Sequence, residues 1–256
     1  MRTWRRCRMK IQESDLDLNG KRVLITGAAS GIGAAMAKTF FAHNATIILA
    51  DIDPLGLERV SKETSGSQTV MFNQNDLNSI EEMCVNMEVP DILLNNAGIL
   101  WAGPFEEMSS DEITKIINVN LLGPVHIVQA LGKKMLKRGS GIIVNTSSQL
   151  AFHGSAERAI YASTKAGIVQ FTKSIAAEWA PKGIRVVAIA PGRTLTNINA
   201  NLLNSPEKQR TAIDAIPAGR IAEAHEMARL ALLLSSDVLS YVVGETVVSD
   251  GGYVLL

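Results

Sequence analysis

From residue 21 onward, short β-branched runs alternate with longer stretches of helical period, and this leaves room for little except repeated strand–helix–strand units on a parallel sheet. The runs that read as strands are Arg22–Thr26, Thr46–Asp51, Thr69–Phe72, Asp91–Asn95, Gly141–Ser147, Ile184–Ala190 and Glu245–Ser249. Most are nearly unbroken in hydrophobicity, as strands are when helices cover both faces. Helical spans are expected over Ile32–His43, Asp53–Thr64, a short Asn78–Met87, a long Ser110–Lys137, Ala159–Ala180 and Glu223–Ser235. Pro181 with Gly183, and Gly139 with Gly141, stand where helices should stop, since proline cannot donate and glycine tolerates positive φ. Residues 193–222 show no strand pattern and read as a loop with small helices covering the site. The expected fold is therefore α/β: a single doubly wound domain over residues 21–256, with a mostly parallel seven-stranded sheet flanked by helices on both faces. Residues 1–20 read as an N-terminal tail, disordered in part, with Met9 as an alternative start.

Composition narrows the function classes. A chain of 256 residues that is 46% hydrophobic can bury one substantial core. Twenty-five basic residues balance twenty-five acidic ones, so no overall field draws nucleic acid or an anionic membrane surface. The cysteines, Cys7 and Cys84, lack metal-ligand spacing and read as reduced thiols of a cytoplasmic protein, with neither disulfide nor zinc site. No apolar run reaches the roughly 18 to 20 residues that cross a bilayer. Arg2, Arg5, Arg6, Arg8 and Lys10 make the N-terminus basic, but no apolar stretch follows to complete a signal.

Directly after the first strand, Thr26-Gly27-Ala28-Ala29-Ser30-Gly31-Ile32-Gly33 runs into the helical Ala34–Lys38. Glycines there allow a tight turn and a close approach of backbone to a pyrophosphate, while the helix N-terminus supplies N–H donors and partial positive charge. Gly27, Ser30, Gly31, Ile32 and Gly33 are the expected dinucleotide-binding positions. Asp51 ends the second strand 18 residues beyond Gly33, near the offset of a carboxylate that receives the adenosine ribose hydroxyls. It would repel a 2′-phosphate, and neither the turn nor Ile52 and Asp53 carry a compensating cation, so NAD is expected rather than NADP. The plainer alternative is that Asp51 caps the helix begun by Pro54.

Tyr161 and Lys165 lie four apart on an expected helix and so share one face. A tyrosine ordinarily ionises near pH 10, and an ammonium beside it favours phenolate, which suits acid/base work. That pair alone is most often a solvated helix face. Its company is more specific: Thr26-Gly-x-x-x-Gly-x-Gly33, Asn95-Asn96-Ala97-Gly98, Asn120, Ser148, Tyr161-x-x-x-Lys165, Pro191-Gly192 and Asp250-Gly251-Gly252 follow in order. The sequence from about residue 20 to the end thus resembles the short-chain dehydrogenase/reductase family, whose fold is of Rossmann type.

The resemblance implies Ser148, thirteen residues before Tyr161, as the serine that hydrogen-bonds the substrate oxygen, with Ser147 beside it open to confusion. It implies Tyr161 as proton donor and acceptor and Lys165 as the residue that contacts the nicotinamide ribose and lowers the tyrosine pKa. Asn120 would hold a water of the proton relay. Asp76 and Leu77 would contact adenine, Asn95, Ala97 and Gly98 would line the cofactor, and Pro191, Gly192, Thr194 and Thr196 would meet the nicotinamide amide. Thr194 departs from the aliphatic residue usual there, and the segment between Asp76 and Asn95 is shorter than in many relatives. A homotetramer is also implied.

For the substrate, Arg158 either grips a carboxylate at the pocket mouth or pairs with Glu157 or solvent. Gln149 and His153 are further candidates, and Asn197, Asn199 and Asn201 would suit a polyol or merely fill a loop. Segments such as Glu178–Ile184 and Ile216–Arg220 resemble the gluconate and deoxy-ketogluconate dehydrogenase branch. The expectation is an NAD-dependent alcohol–ketone oxidoreductase acting on a sugar acid, polyol or small hydroxy acid, without metal, nucleic-acid or membrane partner. The alternatives are a 3-oxoacyl or 3-hydroxyacid oxidoreductase and, outside enzymes, a nucleotide-sensing protein on the same scaffold.

Overall fold

The computed structural model describes residues 12–196 and 205–255. The chain begins β1 (Arg22–Thr26), α1 (Gly31–Ala42), β2 (Thr46–Asp51), α2 (Pro54–Glu63), β3 (Gln68–Met71), α3 (Leu77–Asn86) and β4 (Ile92–Asn95). It continues through α4 (Ser110–Ile117), a π-helical turn (Asn118–Leu122), α5 (Gly123–Arg138), β5 (Gly141–Thr146), α6 (Ala159–Trp179) and β6 (Ile184–Pro191). After β7 (Thr194–Leu195), α7 (Pro206–Asp214), β8 (Ala222–Glu223) and α8 (Ala224–Ser235), β9 (Thr246–Ser249) completes the main sheet.

Seven strands pair in the order β3-β2-β1-β4-β5-β6-β9, and every pair is parallel. The seven expected strands are all present, with ends that differ by at most one residue. Their side chains pack on both sides: Phe40 and Met36 of α1 share one core with Leu232 of α8, while Leu131 and Met135 of α5 share the other with Ile80 of α3 and Trp179 of α6. Chain direction across the sheet reverses between β1 and β4. Such a reversal leaves a crevice beyond the carboxyl ends of the strands, which is where α/β sheets bind ligands.

The structure corrects the expectation in two places. The long helix expected over Ser110–Lys137 is two α-helices joined by the π turn, because Pro124 has no N–H with which to continue the α ladder. Residues 193–222, expected to lack strands, contribute β7 and β8, a two-residue parallel ladder that ties the segment after β6 to the start of α8. Asn197, Asn199 and Asn201 lie outside the described residues, as do residues 1–11. Within the segment read as a tail, Leu18 is buried in the α1 core and donates its N–H to the His43 carbonyl.

Candidate active site

A cavity of about 830 Å³ runs along the carboxyl ends of the strands, within the size range of small-molecule sites. Its nucleotide end is the turn after β1, where Gly27, Ser30, Gly31 and Ile32 line the wall. Gly33 is buried within the turn itself: a Cβ there would stand 2.0 Å from the Gly27 carbonyl oxygen, so only glycine lets α1 start this close to β1. Ser30 is the N-cap of α1 but its hydroxyl makes no capping bond, which leaves it and the first-turn amides to an anion. The turn fits a dinucleotide pyrophosphate.

Asp51 lines the cavity at the end of β2. One carboxylate oxygen accepts from the Ala29 amide at 3.0 Å and the other from the Asp53 amide at 3.0 Å. The helix cap proposed for Asp51 belongs instead to Asp53, which accepts from Leu55 N–H at the start of α2. Arg59 of α2, which sequence reading overlooked, donates to the Ala29 carbonyl at 2.7 Å, so an acid and a base hold the two backbone groups of one residue in the turn.

Apart from Gly33, three residues expected at the cofactor do not line the cavity. Asp76 caps α3 by accepting from Asn78 N–H, Leu77 is exposed, and neither lines the cavity; Phe72, Asn73, Gln74 and Asn75 do. The first residues off a parallel strand face the crevice, and β3 ends at Met71, so the residues that reach the cavity lie about three positions earlier than expected. Asn95 is buried and turned away, donating to the carbonyl of Pro124 and to Asn145. Its place is taken by Asn96, which donates to the Thr26 carbonyl, while Ala97 and Gly98 line the cavity as expected.

At the other end, Pro191, Gly192, Thr194 and Thr196 line the wall opposite the turn. Thr194 donates its hydroxyl to the Gly192 carbonyl at 3.1 Å, and the Thr196 side chain packs over Gly31, so the segment after β6 closes against the phosphate turn.

Between these walls β5 and α6 bring three side chains together. The Ser148 hydroxyl hydrogen-bonds the Tyr161 phenol, and Lys165 Nζ lies 5.9 Å from the centre of the same ring. Ser147, the alternative to Ser148, turns the other way and donates to the Lys165 carbonyl at 2.8 Å. Lys165 Nζ donates to the Thr146 carbonyl at 2.9 Å. Burial lowers the Lys165 pKa to about 8. Burial also pushes the Tyr161 phenol above its ordinary value, opposed by the Ser148 hydrogen bond and the charge of Arg158. In the free protein the groups that oppose burial are Ser148 and Arg158 rather than the expected Lys165. Asn120 is fully buried, and its side-chain amide clamps both backbone groups of Ile99 at 2.8 Å, beside Gly98.

The substrate end of the cavity is lined by Gln149, Leu150, Ser155, Arg158, Arg193 and Tyr253. Arg158 is mostly buried and, among the described residues, makes only a long 3.8 Å pairing with Glu157 besides a bond to that residue's carbonyl. His153, expected in the pocket, stands behind Tyr253, ring centre to ring centre 5.3 Å, and does not line the cavity. Sequence reading missed Tyr253 and Arg193, whose guanidinium lies 5.6 Å from the Tyr253 ring. Arg193 directly follows the Pro191-Gly192 pair, a signal that was available; nothing local marks Tyr253, which arrives from the C-terminus. Among the described residues the buried oxygens Thr146 Oγ1 and Gln149 Oε1 have no hydrogen-bond partner, as in a site made for a polar ligand. Among the described residues no cluster of potential metal ligands occurs, and no helix is long and apolar enough to cross a membrane.

A family profile described as Enoyl-(Acyl carrier protein) reductase matches residues 27–254. The chain belongs to the short-chain dehydrogenase/reductase family, oxidoreductases that act on CH–OH groups and bind a nicotinamide cofactor. It is 38% identical over 247 residues to the 3-oxoacyl-[acyl-carrier-protein] reductase FabG of Thermotoga maritima, covering 93% of this chain and 99% of that one. Among solved structures, a protein assigned as an NAD(P)-dependent gluconate 5-dehydrogenase of Beutenbergia cavernae, with NADP at low occupancy, superposes with a TM-score of 0.90 at 32% identity, covering 94% of this chain and all of that one. One assigned as a 2-deoxy-D-gluconate 3-dehydrogenase of Agrobacterium tumefaciens, with bound NADP, gives 0.88 at 32%, covering 94% and 99%.

Proposed function

We propose that this reductase/dehydrogenase uses NAD(H) to interconvert a secondary alcohol and a ketone on a small hydroxy acid, sugar acid or polyol. The observation that carries the reading is the pairing of the Ser148 hydroxyl with the Tyr161 phenol in the wall of the cavity, with Lys165 on the same helix face. The nicotinamide, when bound, donates or accepts the hydride. The chain's own part is to hold the substrate oxygen between Ser148 and Tyr161 and to pass a proton at the phenol, stabilising the charge that develops on that oxygen. Lys165 would support the cofactor ribose from below, and Asn120 would serve the proton relay through the backbone it fixes at Ile99.

Asp51 supports NAD, because its carboxylate lines the nucleotide end and would repel a 2′-phosphate. Arg158 and Arg193 support an anionic substrate, since both line the same cavity and Arg193 forms no ion pair among the described residues. A second reading, 3-oxoacyl or 3-hydroxyacid chemistry, is favoured by the Thermotoga relative. The reading also includes a homotetramer in the cytoplasm, built partly on α5 and α6.

The test is fluorescence titration with NADH and NADPH, followed by a panel of sugar acids, polyols, hydroxy acids and 3-oxoacyl thioesters scored by nicotinamide absorbance. Tighter NADH binding and turnover of an anionic hydroxy or keto acid are expected. Tighter NADPH binding would overturn the cofactor assignment, and turnover of thioesters alone would move the function to the second reading.

A further inference from the structure

The π turn at Asn118–Leu122 creates a backbone problem that a residue far away in sequence solves. Gly123 N–H donates five residues back to the Asn118 carbonyl, so it is unavailable to Val119, its partner in an α-helix. The five-step donor for Val119 would be residue 124, which is proline and has none. The Val119 carbonyl is therefore orphaned inside the protein, and a buried orphan is costly. Gln74 Nε2, from the loop after β3, donates to it at 2.7 Å.

The same amide donates its other hydrogen to the Ala97 carbonyl at 3.1 Å, in the cofactor-lining loop after β4. Gln74 is 6% exposed and lines the cavity, and its Oε1 has no partner among the described residues. Gly123 makes room for it: a Cβ there would fall 2.5 Å from Gln74 Cγ and 2.8 Å from its carbonyl oxygen. One residue beyond Val119 stands Asn120, whose side chain grips Ile99. Gln74 thus ties three things to one amide group: the loop after β3, the Ala97 loop and the helix turn that aims Asn120.

We infer that Gln74 is a positioning residue for the reaction, setting the π-turn register that places Asn120 between the cofactor loop and Lys165. This rests on the redox reading of the site. Nothing about a hydrophobic residue at 74 would disturb the sheet, but it would leave the Val119 and Ala97 carbonyls without their donor and free the turn to shift. A misplacement of the order of 1 Å in such a group costs rate rather than cofactor affinity.

The experiment compares wild type, Gln74→Leu, Gly123→Ala and Tyr161→Phe. Amide hydrogen exchange of the free protein is read alongside steady-state kinetics with NADH and the carbonyl substrate turned over fastest in the panel above, and the solvent isotope effect on kcat. In Gln74→Leu, the Gly123 and Ile99 amides are expected to exchange at least about tenfold faster while Leu93 in β4 is unchanged. The kcat is expected to fall about tenfold with a raised solvent isotope effect, whether or not KM for NADH also changes. Gly123→Ala, which crowds Gln74 from the other side, should reproduce both changes. Unchanged exchange at Gly123 and Ile99, faster exchange spread equally over the sheet, or a change in KM alone would each overturn the proposal. Full turnover by Tyr161→Phe would instead remove the acid/base role read for Tyr161 while leaving the exchange result standing.

Discussion

The Ser148 hydroxyl meets the Tyr161 phenol across the end of β5, while the hydroxyl one residue earlier, on Ser147, faces away to the backbone of α6. Two adjacent serines on one extended segment point to opposite sides and so have different work.

The separation predicts opposite mutant phenotypes. Ser148→Ala should lower kcat/KM about 10²- to 10³-fold with little change in Tm, the range seen when one donor to a developing oxyanion is lost. Ser147→Ala should instead cost about 1–2 kcal/mol of stability, because it removes a buried hydrogen bond to the Lys165 carbonyl. Urea unfolding and steady-state kinetics on both variants check the pair; equal kinetic losses would mean that the two serines are not distinguished in this way.

Much of this arrangement can be read from sequence because it is written in local patterns. The strands are continuous apolar runs, and the turn after β1 requires glycine for reasons visible within eight residues. The errors arise where a local pattern serves two purposes. Asp76 is an acid after a strand, which fits an adenine contact equally well as the helix cap it is. Asn95 and Asn96 are the same residue type on opposite faces, so only the exact strand end decides which meets the cavity. Pro124 did announce a break in the long helix, but the consequence, an orphaned carbonyl met by Gln74, depends on a contact 45 residues distant. Tyr253 and Arg193 likewise meet only through the fold.

The pH dependence follows from the phenol. Burial holds Tyr161 protonated through the neutral range, and a protonated phenol is what ketone reduction consumes. Reduction should therefore plateau at neutral pH and below and decline as pH rises through the phenol pKa, while alcohol oxidation should climb with pH over the same interval. Profiles of kcat/KM in both directions test this, and an oxidation rate that falls with rising pH would contradict it.

Lys165 predicts a stability effect of definite sign. Its pKa is near 10.5 when unfolded and about 8 when folded, so between those values the unfolded chain binds more protons. Stability from this group therefore rises with pH through that window. Lys165→Met should lose this slope, making the variant relatively more stable than wild type near pH 7 and less so near pH 10, as read by denaturant midpoints. Parallel curves for the two proteins would exclude the effect.

Arg158 sits partly buried beside Tyr161 with only a weak carboxylate partner. Arg158→Ala should raise KM for carboxylate substrates about tenfold or more and leave neutral polyols nearly unchanged, as removal of a charged contact does. Equal effects on both classes would assign Arg158 to structure rather than recognition.

The account turns on Tyr161 as the group that moves the proton, and Tyr161→Phe tests that most directly. It deletes one oxygen and leaves the ring in place. The variant should bind NADH as wild type does, by fluorescence titration, yet lose turnover by at least about 10³-fold in both directions. Near-normal turnover with intact NADH binding would contradict the account.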